Sequence, residues 1–391
     1  MSIVDPRQAE RIVKWMDSNS DEMVEFLKGL VLLESPSDVP ESQSAVQELL
    51  ATALTDVGLD VHHLEGERTG GHLLARAKGR VNHSESQLMI GHSDTVWPLG
   101  TLEELPVEIE GGTLSGPGVF DMKGGLTQIV FALKALSALG LEPALAPVVF
   151  INSDEEIGSP ESIAHVRGLA QEVERVFVLE PAMGPRGVIK TARKGVGRFT
   201  LTLTGKPAHA GLDPEAGASA ILELSYLIQK LHALNDRERG VSVNVGVIDG
   251  GVRPNVVAPQ STAVVDVRVP TMADGQRIER AIQSLEVETP GVTLEVHGRI
   301  GTPPLERTPR NRALWDAARA VGAAMGLSLE DGMAGGGSDG NTTSQFAATL
   351  DGLGPIGDGA HARHEHVRIS GLVERCGLLA GLLMSRTDYN P

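Results

Sequence analysis

Pro147-Val148-Val149-Phe150-Ile151-Asn152-Ser153-Asp154-Glu155-Glu156 opens with an apolar run that stops in an acidic turn. Such a continuous run reads as a β-strand buried on both faces, the habit of parallel strands covered by helices on either side. The same arrangement recurs in Met89-Ile90-Gly91-His92-Ser93-Asp94-Thr95, in Gly116-Pro117-Gly118-Val119-Phe120-Asp121-Met122-Lys123-Gly124-Gly125, and in Val178-Leu179-Glu180-Pro181. A fifth segment, Gly359-Ala360-His361-Ala362-Arg363-His364-Glu365, lies near the C-terminus. Open α/β sheets bind ligands outside the carboxyl ends of their strands. His92, Asp121, Glu156, Glu180 and His361 are therefore candidate metal ligands. Two imidazoles and three carboxylates suffice for two zinc ions if one carboxylate bridges, and the set suggests a two-zinc hydrolase.

Working outward, Met23, Phe26, Leu27, Leu30 and Leu33 recur at helical spacing behind the capping candidates Ser20 and Asp21. A second helix is expected over 41–57, stopped by Gly58. Strands over 87–90, 147–151 and 175–179 then alternate with helices over 124–139 and 160–169, which makes an α/β domain. From about Gly195 the pattern changes to strand 196–204, helix 216–234, strand 241–247, strand 262–269, helix 276–285 and strand 293–296. That order is β-α-β-β-α-β, the split arrangement of ferredoxin-like α+β domains. Lys190 to Gly195 marks one boundary, and Gly301-Thr302-Pro303-Pro304 reads as a hinge or linker at the other. After a helix over 311–325 the chain returns to the first domain. The expected layout is thus a catalytic domain of residues 1–194 and 304–391 with residues 195–303 inserted. Gly335-Gly336-Gly337, followed by Ser338-Asp339-Gly340-Asn341, reads as backbone that approaches a ligand, without the spacing of a phosphate-binding loop.

The 391 residues carry a formal charge of -17, which argues against nucleic acid or an anionic membrane as partner. The single cysteine, Cys376, excludes an intramolecular disulfide and sits among Leu378, Leu379, Leu382 and Leu383, as a buried structural thiol would. No stretch approaches the ~20 apolar residues that span a bilayer, and residues 1–14 lack the core of a signal peptide. A cytoplasmic protein is expected.

These segments, in this order, resemble the M20 metallopeptidase family, which includes glutamate carboxypeptidase, acetylornithine deacetylase and succinyl-diaminopimelate desuccinylase. The similarity runs from about residue 20 to the C-terminal region. Gly91-His92-Ser93-Asp94-Thr95-Val96-Trp97-Pro98 and Ser115-Gly116-Pro117-Gly118 look most like the glutamate carboxypeptidase branch. The resemblance implies a zinc-peptidase-like α/β domain with a mixed sheet and an inserted ferredoxin-like domain that serves as dimerisation and lid domain. It implies that Asp121 bridges two ions, with His92 and Glu180 completing one site and Glu156 and His361 the other. Asp94 would then orient His92, and Glu155 would be the general base. His364 and His366 also look like ligands, but His361 matches the family position.

In the insertion, the resemblance makes His209 of Gly205-Lys206-Pro207-Ala208-His209-Ala210-Gly211 the donor that reaches the partner subunit's active site and stabilises the tetrahedral oxygen. It makes Asn255 and Arg268 contacts for a substrate carboxylate, with Gly337 as a further substrate contact. Arg193 and Lys194 add positive field or serve as a hinge. The expected protein is a homodimeric dizinc amidohydrolase, with cobalt or manganese as alternatives to zinc. Its substrate would be an N-acyl amino acid or short peptide whose C-terminal residue, possibly glutamate, bears a free carboxylate. An N-acyl amino acid deacylase or deacetylase, and a non-catalytic binding protein on the same fold, are the alternatives. Closure of the smaller domain would exclude water.

Overall fold

The computed structural model describes residues 4–78 and 85–386; residues 1–3, 79–84 and 387–391 of the larger expected domain lie outside them. The chain forms two compact units, one of Met1–Thr191, Arg307–Met333 and Ser338–Pro391, the other of Ala192–Glu306 with Ala334–Gly337.

The first unit is built on a sheet in the order Leu59–Leu64, His72–Ala77, Ala146–Asn152, Ser86–His92, Arg175–Val178, Ala348–Leu350. The last four run parallel and the first two antiparallel to their neighbours, so the sheet is mixed. Every residue of Ser86–His92 and Ala146–Asn152 is buried. Their alternate side chains serve opposite faces, as the pleat requires. Met89, Val149, Ile151 and Phe177 join the core beneath the helices Gly124–Leu139 and Ile369–Met384. Leu88, Ile90, Val148, Phe150, Val176 and Val178 pack with Val166 and Leu169 of helix Ile163–Glu172. Apolar demand on both faces is what erased the alternation from the sequence. Gly125 lets the helix Gly124–Leu139 start against the strand end that carries Glu180: a Cβ there would stand 2.0 Å from the Leu179 carbonyl oxygen.

Several local expectations are corrected. Asn19, not Ser20 or Asp21, occupies the cap position of helix Ser20–Val31, and it makes no side-chain capping bond. The reason is a preceding helix, Pro6–Ser18, that the sequence reading missed and that leaves only Asn19 between the two. The helix expected over 160–169 runs Ile163–Glu172, because Asp154 Oδ2 accepts from the N–H groups of Glu161 and Ser162 at 2.8 and 3.0 Å and fixes its entry. Strands Leu59–Leu64 and His72–Ala77 were not anticipated; the first is an edge strand with Asp60, His62 and His63 exposed, and carries little apolar signal.

In the second unit the sheet order is Ser242–Gly250, Gln260–Val269, Gly195–Thr204, Thr293–Thr302, antiparallel throughout. Helices Ala220–His232 and Met272–Gln283 join the strands in one core around Phe199, Leu227, Val265 and Ile278. Gly301 and Thr302 are not linker but the end of the last strand, where Thr302 pairs with Val196.

Candidate metal centre and active site

His92 is the last residue of the strand Ser86–His92 and is 1% exposed. Its Nδ1 lies 3.0 Å from the Asp94 carbonyl oxygen and 3.4 Å from Asp94 Oδ1. An imidazole held in this way by Nδ1 presents Nε2 as its ligand atom. Nε2 faces Asp121 Oδ1 at 3.3 Å and Glu180 Oε1 at 3.5 Å. The other oxygen of Asp121 faces His361 Nε2 at 3.4 Å, and Glu156 Oε2 lies 3.0 Å from that same nitrogen. Two ligand triads result, His92–Asp121–Glu180 and Asp121–Glu156–His361, and Asp121 belongs to both.

Asp94 does more than hold His92. It also accepts Ser37 Oγ–H at 2.7 Å and the backbone N–H groups of Glu155 and Glu156 at 3.3 and 3.2 Å. One buried carboxylate thereby ties the His92 strand end to the acidic turn. Glu155 stays outside both triads, its Oε2 4.0 Å from His92 Nε2. His361 adopts φ 60°, a left-handed conformation rare for residues other than glycine and concentrated at functional sites.

These residues suit cations. His92 Nε2 and Asp121 Oδ1 are buried without a hydrogen-bond partner, facing each other across a gap. Burial opposes charge on His92, yet Asp121, Asp94 and Glu180 hold the imidazole well above its ordinary value. His361 is pushed up to about 10 by Asp121 and Glu156. Burial, and then Glu180, hold the Glu155 carboxyl well above the usual range. The surrounding carboxylates thus favour the protonated form of both imidazoles, and ligation must expel those protons. Metal uptake at pH 7 is expected to release protons, with affinity rising as pH rises. Calorimetry in buffers of different ionisation enthalpy measures this; uptake with no proton release would contradict the placement of both imidazoles.

Other expected site residues lie in the second unit. His209 is exposed, and its Nδ1 accepts from the backbone N–H groups of Gly211 (3.1 Å) and Leu212 (3.2 Å), which leaves Nε2–H as the free donor of the neutral ring. Asn255 sits beside it: its carbonyl accepts from Ala210 N–H at 3.0 Å. Arg268 is already engaged, its Nε and Nη2 donating to Asp266 at 2.9 and 3.0 Å. The carbonyl of Gly337 accepts from Arg193 Nη1 at 3.0 Å, and Gly336 does so at 3.2 Å. His364 and His366 are absent from both triads; His366 Nδ1 instead faces the His364 carbonyl at 2.9 Å. Burial pushes the thiol of Cys376 up, as for an inert structural residue.

Two acids that the sequence reading left without a role support the site. Asp339 accepts from Asn152 Nδ2 at 2.7 Å and Ser159 Oγ at 2.9 Å, clasping the two ends of the acidic turn, and burial pushes it up to about 6. Glu365 is 3% exposed and takes four N–H donors, and burial pushes it up to about 7 against them. No local pattern marks Glu365 between His364 and His366, because its partners are more than two hundred residues away.

Comparison with known proteins places this geometry. A sequence model described as peptidase family M20/M25/M40 matches residues 88–385. Carboxypeptidase G2 of Pseudomonas sp. (strain RS-16) is 27% identical over 379 residues, covering 93% of this chain and 88% of that protein. Succinyl-diaminopimelate desuccinylase of Thioalkalivibrio sulfidiphilus is 26% identical over 371 residues, covering 90% and 96%. Among solved structures, the aminopeptidase PepT of Bacillus cereus matches with a TM-score of 0.78 at 20% identity, covering 94% of this chain and 98% of that one. A dinuclear metal binding peptidase of Bacillus subtilis matches with a TM-score of 0.70 at 15% identity, covering 94% and 98%.

Proposed function

Because the chain belongs to peptidase family M20/M25/M40, and its relatives are hydrolases, we propose that it is a dizinc amidohydrolase that cleaves the amide bond to a C-terminal amino acid bearing a free carboxylate, glutamate first among the candidates. The observation that carries this reading is the pair of ligand triads sharing Asp121, one oxygen turned to each histidine. When bound, the ions would supply Lewis acidity toward the scissile carbonyl and the attacking water. Glu155 takes a proton from that water and delivers it to the leaving nitrogen. Asp94 holds its backbone in place for this exchange. In the proposed dimer, His209 offers Nε2–H to the oxyanion developing in the partner subunit's site, in the tautomer that Gly211 and Leu212 impose.

A hydrolysis screen over N-acyl amino acids and dipeptides, with metal content measured in parallel, tests the proposal. Cleavage restricted to substrates with a free terminal carboxylate supports it. Cleavage of N-acyl amino acids irrespective of the C-terminal residue would favour the deacylase reading, which the desuccinylase relatives keep open. A chain that holds metal and hydrolyses nothing would overturn both.

Arg268 supports carboxylate recognition in a modified form: Asp266 preorganises its fork, and a substrate carboxylate must share or displace that partner. Arg268→Ala should raise KM for acid substrates by roughly tenfold to a hundredfold, the equivalent of one charge-assisted bond. The matching amides should be affected far less. Equal losses for both would show that Arg268 serves only to pair Asp266.

Dimerisation is proposed through the second unit. Its edge strand Ser242–Gly250 exposes Val247 (60%) and Ile248 (61%), an apolar and unpaired border that a second copy would cover. Light scattering should report two chains per particle, and Val247→Lys with Ile248→Lys should reduce that to one. No helix among the described residues is long and apolar enough to cross a membrane. The lone buried thiol fits a cytoplasmic setting.

A further inference from the structure

Glu365 is a buried acid with no ion-pair partner among the described residues, yet its carboxylate is fully bonded. Oε1 accepts from the backbone N–H groups of Phe120 (2.9 Å) and Asp121 (3.0 Å), while Oε2 accepts from Gly118 N–H (2.9 Å) and Trp97 Nε1–H (2.8 Å). Three of the four donors belong to residues 118–121, the segment that ends in the shared ligand. The segment 359–365 is itself a compact turn, closed by Ala362 N–H to the Gly359 carbonyl at 2.8 Å and Glu365 N–H to the Ala362 carbonyl at 2.9 Å. That turn also carries His361. A stretch from 361 to 365 therefore holds a terminal ligand at one end and grips the backbone of the shared ligand at the other.

We propose that Glu365 is a positioning residue for the metal-bridging carboxylate: by gathering the N–H groups of Gly118, Phe120 and Asp121 it fixes the Asp121 side chain with Oδ1 toward His92 and Oδ2 toward His361. The inference rests on the binuclear reading above. Buried carboxylates that orient ligands typically change metal affinity when altered, without being ligands themselves. Glu365 has the further property that it acts on a backbone, so it sets both oxygens of Asp121 at once. Asp94, in contrast, acts on the other ligand turn and on His92.

The test is a cobalt(II) titration of metal-free wild type, Glu365→Gln and Trp97→Phe, followed by visible absorption, with the melting temperature of each metal-free chain recorded alongside. Glu365→Gln keeps the shape but turns one acceptor oxygen into an amide donor facing N–H groups. It is expected to weaken cobalt binding by about 10- to 100-fold and to alter the absorption band, while the metal-free melting temperature stays close to wild type. Trp97→Phe removes the one of these four donors that lies outside residues 118–121 and should titrate as wild type does. Should Glu365→Gln fail to fold, Glu365→Asp reads the same quantity, since it keeps charge and acceptors but sets them back by one methylene; weakened binding by the folded variant supports the proposal. Wild-type titration by either Glu365 variant overturns it. So does an equal loss in Trp97→Phe, or a fall in metal-free melting that accounts for the lost affinity, because either would assign Glu365 to packing alone. Wild type that takes up no cobalt would overturn the metal reading itself, so the two failures are told apart.

Discussion

Asp121→Ala is expected to lose both ions and to reduce kcat/KM by at least ~10³-fold, the effect of removing several kcal/mol of charge stabilisation from the reaction. The size follows from the position of one side chain. Asp121 Oδ1 faces His92 and Oδ2 faces His361, so its removal takes a ligand from each triad simultaneously. It also removes the carboxylate nearest His92 Nε2 and leaves His361 with Glu156 alone. His361→Ala, in comparison, removes a ligand from one triad only and should leave one ion in place. Metal analysis of the purified variants distinguishes the two. An Asp121→Ala chain that keeps one tightly held ion would show that the triads are independent and that the bridge is an accident of proximity.

Glu155→Gln should keep a normal metal content and KM while kcat falls by ~10²- to 10⁴-fold, the range for a lost acid–base group. The separation of roles is already visible in the acidic turn. Glu156 reaches His361 at 3.0 Å and closes a triad, whereas Glu155 stops 4.0 Å from His92 and closes none. Both backbones are held by the same Asp94 carboxylate, so the substitution leaves the turn in place. Loss of metal from Glu155→Gln would make Glu155 a ligand and leave the proton transfer without a donor. A modest fall in kcat with metal retained would pass the role of base to some other group.

Part of the candidate site is legible in the sequence for a physical reason: parallel strands buried on both faces leave uninterrupted apolar runs. Three of the five candidate ligands, His92, Glu156 and Glu180, stand at or just past the ends of those runs. Asp121, whose segment reads as another strand end, lies instead in the helical turn Val119–Lys123, and His361 lies in a turn ahead of the strand His366–Arg368. His92 and Asp94 follow Met89-Ile90-Gly91; Glu155 and Glu156 follow the strand Ala146–Asn152; Glu180 follows the strand Arg175–Val178. The split β-α-β-β-α-β order was legible because its strands alternate and its helices are amphipathic. What escaped was whatever depends on distant pairing. Glu365 meets its donors across more than two hundred residues, and Asp339 reaches Asn152 and Ser159 across a similar span, so no local pattern announces either. The pairing of Asp266 with Arg268 is a different matter. Residues two apart on a strand share a face, so the strand Gln260–Val269 by its pleat alone places Asp266 beside Arg268. Leu59–Leu64 escaped because an edge strand needs little apolar surface.

The most direct test of the account is anomalous diffraction at the zinc absorption edge from crystals of the zinc-loaded chain. Two peaks per chain are predicted, one bounded by His92 and Glu180, the other by Glu156 and His361, with the Asp121 carboxylate between them. A catalytically active crystal form with a single peak, or with peaks that Asp121 does not touch, would contradict it.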